Sequence, residues 1–234
     1  AAALARTMLL LSATAQESNA MLKVWGRKTS SNVQAVMWCI GELGLPYQRV
    51  DIGHKYGGNQ SPEFLAMNPN GLVPVLRDGD GPPLFESAAI VRYLASRYGN
   101  DTFWPHDPLA RATVDVWAEW AKSSVYVGFA RPVFWPMIRV APEKRDTQAL
   151  AEAMDSLTKL LKIADDRLAQ HDYLAGDRLT VADILFGMLL YRYYTLDMAR
   201  PTLPALENYY QRLTQRPAYQ EHVMVPYDEL REPA

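Results

Sequence analysis

The chain has 234 residues, 49% of them hydrophobic and 21% charged, and a formal charge of −2. That length fits one large domain or two of ordinary size, and the composition describes a globular chain with ample core. No Lys/Arg block stands out, so neither nucleic acid nor an anionic membrane surface is a favoured partner. No apolar run reaches the roughly 18 residues of a membrane span. The single cysteine, Cys39, excludes an internal disulfide and a cysteine metal cluster. His54, His106, His171 and His222 show no ligand spacing, so no metal is expected.

Residues 1–20 are set apart. Leu9-Leu10-Leu11 and Ala13-Thr14-Ala15 faintly resemble the end of a signal peptide, but the apolar core is short and only Arg6 precedes it. Ser18-Asn19-Ala20 reads as an added junction ahead of a start at Met21. This leader is excluded from the fold, and the protein is expected in the cytoplasm.

Met21 to Gly26 reads as a first strand, and Val33, Val36, Met37, Ile40 and Leu43 recur at helical spacing until Gly44 and Pro46. Tyr47 to Ile52 is a second strand, and Gly53 to Gly58 a loop. Ser61 caps a short helix with Pro62 at its first position. After the turn Asn68-Pro69-Asn70-Gly71, the run Leu72 to Leu76 is β-rich but carries Pro74 in its middle, which marks an edge or a special feature. Asp78 to Gly81 signals a hairpin, and Pro83 to Phe85 is the returning strand. Glu86-Ser87 opens a helix through Ile90, Val91, Leu94 and Tyr98, closed by Gly99. The order β-α-β-α-β-β-α predicts a small mixed sheet with helices on its faces.

Beyond Gly99 no convincing strand follows. Residues 100–107 read as a linker, and Asp107-Pro108 starts a helix carrying Trp117, Trp120 and Tyr126, with breaks near Pro132 and Pro136. A long helix is predicted from about Pro142 to Gln170, with Leu150, Leu157, Leu160, Leu161 and Leu168 on its apolar face. Thr180 and Asp183 form a capping-box variant with Leu179 and Ile184 at staple positions, a folding role for Asp183. Further helices run to about Leu213. The predicted division is 21–99, a linker at 100–107, and an all-helical 108–234.

Ser30, Ser31 and Asn32 stand where the first helix opens, among free N–H groups suited to an anion. Taken alone, a serine there reads as a helix cap. The joint pattern says more. Gly71-Leu72-Val73-Pro74-Val75-Leu76, then Glu86-Ser87, then Leu179-Thr180-Val181-Ala182-Asp183-Ile184 resembles the glutathione transferase family along nearly the whole chain from Met21. The Ser30-Ser31-Asn32-Val33-Gln34 turn looks like that of the bacterial theta-like members.

The resemblance implies an α/β thioredoxin-like N-terminal domain, an all-α C-terminal domain and a homodimer. It implies glutathione as co-substrate, its thiolate held by Ser30 and Asn32, with Thr29 and Ser31 less well matched. The Val73-Pro74 bond would be cis and offer main-chain hydrogen bonds to the cysteinyl part. Glu86 would accept from the γ-glutamyl ammonium, and Ser87 would hold its carboxylate; Ala88, where relatives are often polar, is a departure. For the glycine carboxylate, the usual positions are Gly71 and Leu72 here, which leaves His54 and Lys55. A second substrate would lie against Trp120, Tyr126, Phe129, Phe134 and Trp135, with Arg131 available to an anion. Aromatics at helical spacing are more often core.

A free thiol ionises near pKa 8.5, and lowering that by about two requires roughly 2.7 kcal/mol of preference for the anion. A hydrogen bond to a charged group is worth roughly 1.5–3 kcal/mol and a helix terminus up to about 2, so one hydroxyl and the dipole suffice. No tyrosine or cysteine falls in this turn, and Cys39, two turns into the helix, reads as core. The reading is a glutathione-dependent transferase acting on a small apolar electrophile or a disulfide. The alternative is a non-catalytic binding module on the same scaffold.

Overall fold

The computed structural model describes residues 21–231; the readings offered for 1–20 lie outside them. Strand β1 (Leu22–Trp25) is central. It runs parallel to β2 (Tyr47–Val50) and antiparallel to β3 (Val75–Asp78), and β4 (Leu84–Phe85) pairs antiparallel with β3. The sheet order is β2-β1-β3-β4. Period-two alternation buries Leu22 and Val24 and leaves Lys23 and Trp25 half-covered. The predicted run 72–76 is shorter as a strand: Val73–Pro74 is a cis peptide, and pairing begins at Val75.

Helix α1 (Ser31–Glu42) is buried almost all round, not along one stripe. It packs against α3 (Ser87–Tyr98) on one side and against two elements of the helical region, α8 (Val181–Gly187) and α11 (Pro217–His222), on the other. Two glycines permit that approach. A Cβ at Gly41 would sit 2.9 Å from Ala218, and one at Gly187 2.9 Å from the Trp38 ring. Helix α2 (Pro62–Met67) is capped by the Ser61 hydroxyl, which accepts from Phe64 N–H at 3.2 Å.

In the helical region, Asp107 caps α4 (Pro108–Trp120), accepting from Ala110 N–H at 2.8 Å. The breaks expected near Pro132 and Pro136 are absent. The rod continues through π-helical turns at Ala121–Val125 and Ala130–Phe134, joined by α5 (Tyr126–Phe129), and ends in α6 (Trp135–Arg139). Proline lacks an N–H and crowds the carbonyl one turn back; the wider π turn at Ala130–Phe134 contains Pro132 and runs directly into Pro136, where it relieves that crowding. The helix predicted from Pro142 starts later. Residues Pro142–Lys144 form a 3-10 turn, and α7 (Thr147–Leu168) opens at Asp146, whose carboxylate accepts from Ala149 N–H at 2.9 Å. Helices α9 (Leu190–Thr195) and α10 (Pro204–Thr214) complete the layer before α11.

The capping box at α8 is present, and Asp183 is fully buried. Its carboxylate accepts from Leu174 N–H at 2.9 Å, Thr180 N–H at 2.8 Å, the Thr180 hydroxyl at 3.0 Å and the Tyr209 hydroxyl at 2.8 Å. Two ion-pair groups tie the layers: Arg216 grips Glu42 through two bonds of 2.7 and 2.6 Å, and Arg92 reaches Asp115 at 2.7 Å and Glu119 at 2.9 Å. Among the described residues no helix is long and apolar enough to cross a membrane, and no cluster of metal-ligating side chains occurs.

Candidate active site between the sheet and the helical layer

The turn from Arg27 to Ser30 is held on every side. Arg27 N–H bonds the Ile52 carbonyl at 3.2 Å, and the Gln34 amide donates to the Lys28 carbonyl at 3.1 Å. The Thr29 carbonyl accepts from the buried Arg192 guanidinium at 2.5 Å, and the Thr29 hydroxyl donates to Glu229. Ser30 follows as the residue preceding α1, in extended conformation, with its carbonyl accepting the first helical bond from Gln34 N–H at 2.8 Å. Its side chain makes no capping bond, and it is 8% exposed. Among the described residues the hydroxyl is therefore uncommitted, at a helix N-terminus whose first N–H groups have no intrahelical partner.

Asn32 is fixed from three directions. Its Oδ1 accepts from the Ser87 hydroxyl at 3.0 Å and from the Lys122 ammonium, and its Nδ2 donates to the Tyr126 hydroxyl at 3.3 Å. Two donors on the oxygen settle which way the carboxamide faces. Ser87 is buried at the start of α3 and does not cap it; the residue before the helix is Glu86, exposed and with φ +68, a conformation unusual for a side chain of this type.

Val73 lies between Leu72 and the cis bond and makes no hydrogen bond through its backbone among the described residues. An unpaired N–H and C=O on the residue leading into β3 can take main-chain hydrogen bonds from an extended peptide. Its neighbours are occupied: Gly71 O accepts from Asn59 and Leu72 O from Asn68, each at 2.8 Å.

Lys55 does not stand free. It pairs with Glu229 at 2.5 Å, so its charge is already countered by the C-terminal segment. His54, at φ +54, is exposed. The predicted aromatic wall divides. Tyr126 meets Asn32. Trp120 instead turns toward the helical layer, 6.0 Å from Phe186, and Phe129 and Phe134 are 2% and 1% exposed. Those two phenylalanines pack on each other, on Tyr193 and on Tyr227, and offer no surface to a ligand. On this part of the rod the phenylalanine side chains belong to the core. Arg131 is exposed, and Trp135 lies under Arg139 at 4.1 Å. Cys39 is core: fully buried, its thiol pushed up by burial and by Glu42.

The structure adds residues that sequence reasoning missed. Lys122 comes from the first π turn, its ammonium 4.1 Å from the Tyr126 ring centre, and burial pulls its pKa down to about 8 against the opposing pull of Glu86 and Glu119. Its signal was its place four residues before Tyr126, on the same helix face. Arg192 stacks 4.5 Å over Phe134, and burial lowers it to about 10. Burial also lowers Arg27, against the pull of Glu229. Nothing in the local pattern distinguished these arginines from surface ones, because their burial depends on the C-terminal segment.

The site thus joins a serine hydroxyl at a helix N-terminus and, just before a cis proline, a residue with an unpaired backbone. Family models described as "Glutathione S-transferase, N-terminal domain" and "Glutathione S-transferase, C-terminal domain" match residues 20–96 and 129–217. The chain belongs to the glutathione S-transferase family. It is 38% identical to glutathione S-transferase GstB of Escherichia coli K12 over 207 residues, covering 88% of this chain and 99% of that one. It is 33% identical to glutathione S-transferase 3 of Zea mays over 216 residues, 87% of this chain and 94% of that one. A theta class glutathione S-transferase from Xanthomonas axonopodis pv. citri, solved with glutathione bound, superposes with a TM-score of 0.82 at 41% identity, covering 88% of this transferase and 98% of that chain. The thioredoxin-like N-terminal domain and helical C-terminal domain follow that architecture.

Proposed function

We propose that this glutathione-dependent transferase lays its co-substrate along the Val73–Pro74 edge, with the sulfur at Ser30 and the γ-glutamyl end at Glu86 and Ser87. The observation that carries the reading is the Ser30 hydroxyl, placed at the N-terminus of α1 yet free of any capping bond. It donates to the thiolate, the helix terminus adds its dipole, and the Asn32 amide, pinned through its oxygen, supplies a second donor. No general base is required: the anion is favoured over the thiol, and the proton leaves to water. The thiolate then attacks an electrophile or a disulfide entering beside Tyr126.

Disulfide reduction would draw both reducing sulfurs from glutathione, in keeping with the burial of Cys39. His54 is the nearer choice for the glycine carboxylate, since Lys55 is already paired. Arg131 is exposed and free to meet an anionic second substrate. The exposed Leu109 and Val116 on α4 suit a homodimer face. A reducing cytoplasm suits a thiol co-substrate. The domain division falls at 100–107, between α3 and α4. Parallel assays with an aromatic chloride and a small disulfide test the reading: turnover of either with glutathione supports it, and turnover of neither, with no retention on immobilised glutathione, opposes it.

A further inference from the structure

Lys122 is a cation brought from the helical layer into the heart of the N-terminal site. Its ammonium donates to Asn32 Oδ1, the same atom that takes the Ser87 hydroxyl, while the Asn32 Nδ2 faces Tyr126. The charged groups around it are Glu86 at the head of α3 and Glu119 on its own helix; Glu119 is itself engaged by Arg92 at 2.9 Å. No carboxylate lies within ion-pair distance of the Lys122 ammonium among the described residues. A half-buried ammonium whose strong partner is a neutral amide is short of an anion.

We propose that Lys122 is the positioning residue for the glutathione thiolate: protonated, it locks the Asn32 carboxamide with the N–H face toward the sulfur and supplies the countercharge the anion lacks. This rests on the placement of the sulfur at Ser30 and Asn32. Loss of the Lys122 proton has two effects in one direction. The neutral amine no longer favours the oxygen of Asn32, which frees the amide to turn, and the positive charge beside the sulfur disappears. With burial holding Lys122 near 8, rising pH first creates thiolate and then removes the group that orients its donor. The kcat/KM profile for glutathione is therefore bell-shaped, with an alkaline limb near pH 8. A bound thiolate favours the ammonium, so the corresponding limb in kcat lies higher.

The experiment titrates the ultraviolet absorbance of the glutathione thiolate bound to wild type, Lys122→Met and Lys122→Arg, with pH–rate profiles for each. Lys122→Met is expected to raise the thiol pKa by about 1 to 2, to lower kcat/KM about tenfold to a hundredfold and to abolish the alkaline limb. Lys122→Arg keeps a charge that does not titrate here; it is expected to restore the low thiol pKa and also to lack the limb. In an Asn32→Ala background the Lys122→Met loss shrinks, since part of the effect passes through that amide. A folded Lys122→Met enzyme with an unchanged thiol pKa and an unchanged alkaline limb overturns the proposal. A wild-type enzyme that binds no glutathione, or shows no thiolate on binding it, overturns instead the underlying placement of the sulfur.

Discussion

The Thr29 hydroxyl donates to the Glu229 carboxylate, joining the turn beside Ser30 to a segment two hundred residues away. The same carboxylate pairs with Lys55 at 2.5 Å, and Arg192 holds the Thr29 carbonyl from beneath. The C-terminal segment thus braces the site from outside while the helical layer braces it from inside.

Replacing Glu229 with Gln is expected to weaken this brace by about 1–2 kcal/mol. Burial raises the Glu229 pKa, but hydrogen bonds from Lys55 and Thr29 outweigh it and hold the group below its ordinary 4.5. A depressed carboxylate stabilises above its unfolded value and loses that contribution as pH falls through the lower folded one. The difference in Tm between wild type and Glu229→Gln is therefore present at pH 7 and vanishes in strong acid. An equal difference at both pH values would show that the charge plays no part.

Arg216→Met is expected to cost about 2–4 kcal/mol of stability, because it strands the Glu42 carboxylate against Trp38. Adding Glu42→Gln removes the stranded charge and recovers part of the loss. Denaturant midpoints of the two single variants and the double variant measure the coupling; strict additivity would deny the pair an energetic role.

Asp183→Ala leaves four buried donors unpaired. Loss of a helix cap alone costs about 1 kcal/mol; the network predicts about 3 kcal/mol or more. Equilibrium unfolding distinguishes them, and a loss no larger than that of Thr180→Ala would reduce Asp183 to a cap.

Leu109 and Val116 are 76% and 65% exposed and seven residues apart, on one face of α4. If that face joins two copies, Leu109→Glu with Val116→Glu halves the sedimenting mass and leaves far-ultraviolet circular dichroism unchanged. A wild-type protein that sediments as a monomer would contradict the homodimer.

Much of the fold was legible because strong local signals agreed with the tertiary outcome. Asp107-Pro108 and Ser61-Pro62 set helix starts through caps that are satisfied as expected. Pro132 misled because a proline was read as a break, whereas tertiary packing carries the rod through a π turn. In the candidate site, Ser30, Asn32, Pro74 and Ser87 stand at or beside element junctions and were legible through the family resemblance, where local pattern alone showed only a helix cap and a strand proline. Lys122, Arg192 and Glu229 were not, since their burial is created by contacts 90 to 200 residues distant in sequence. Phe129 and Phe134 were misplaced for a related reason: periodicity shows a face but not what covers it.

The central claim is that Ser30 stabilises a sulfur the protein does not own. The direct measurement is the ultraviolet absorbance of the thiolate on adding glutathione at neutral pH to wild type and to Ser30→Ala. The account predicts a thiolate signal in wild type and a rise of about 1 to 2 in its apparent pKa in Ser30→Ala, equivalent to roughly 1.4–2.7 kcal/mol. Glutathione that binds both proteins with the same thiol pKa would contradict it.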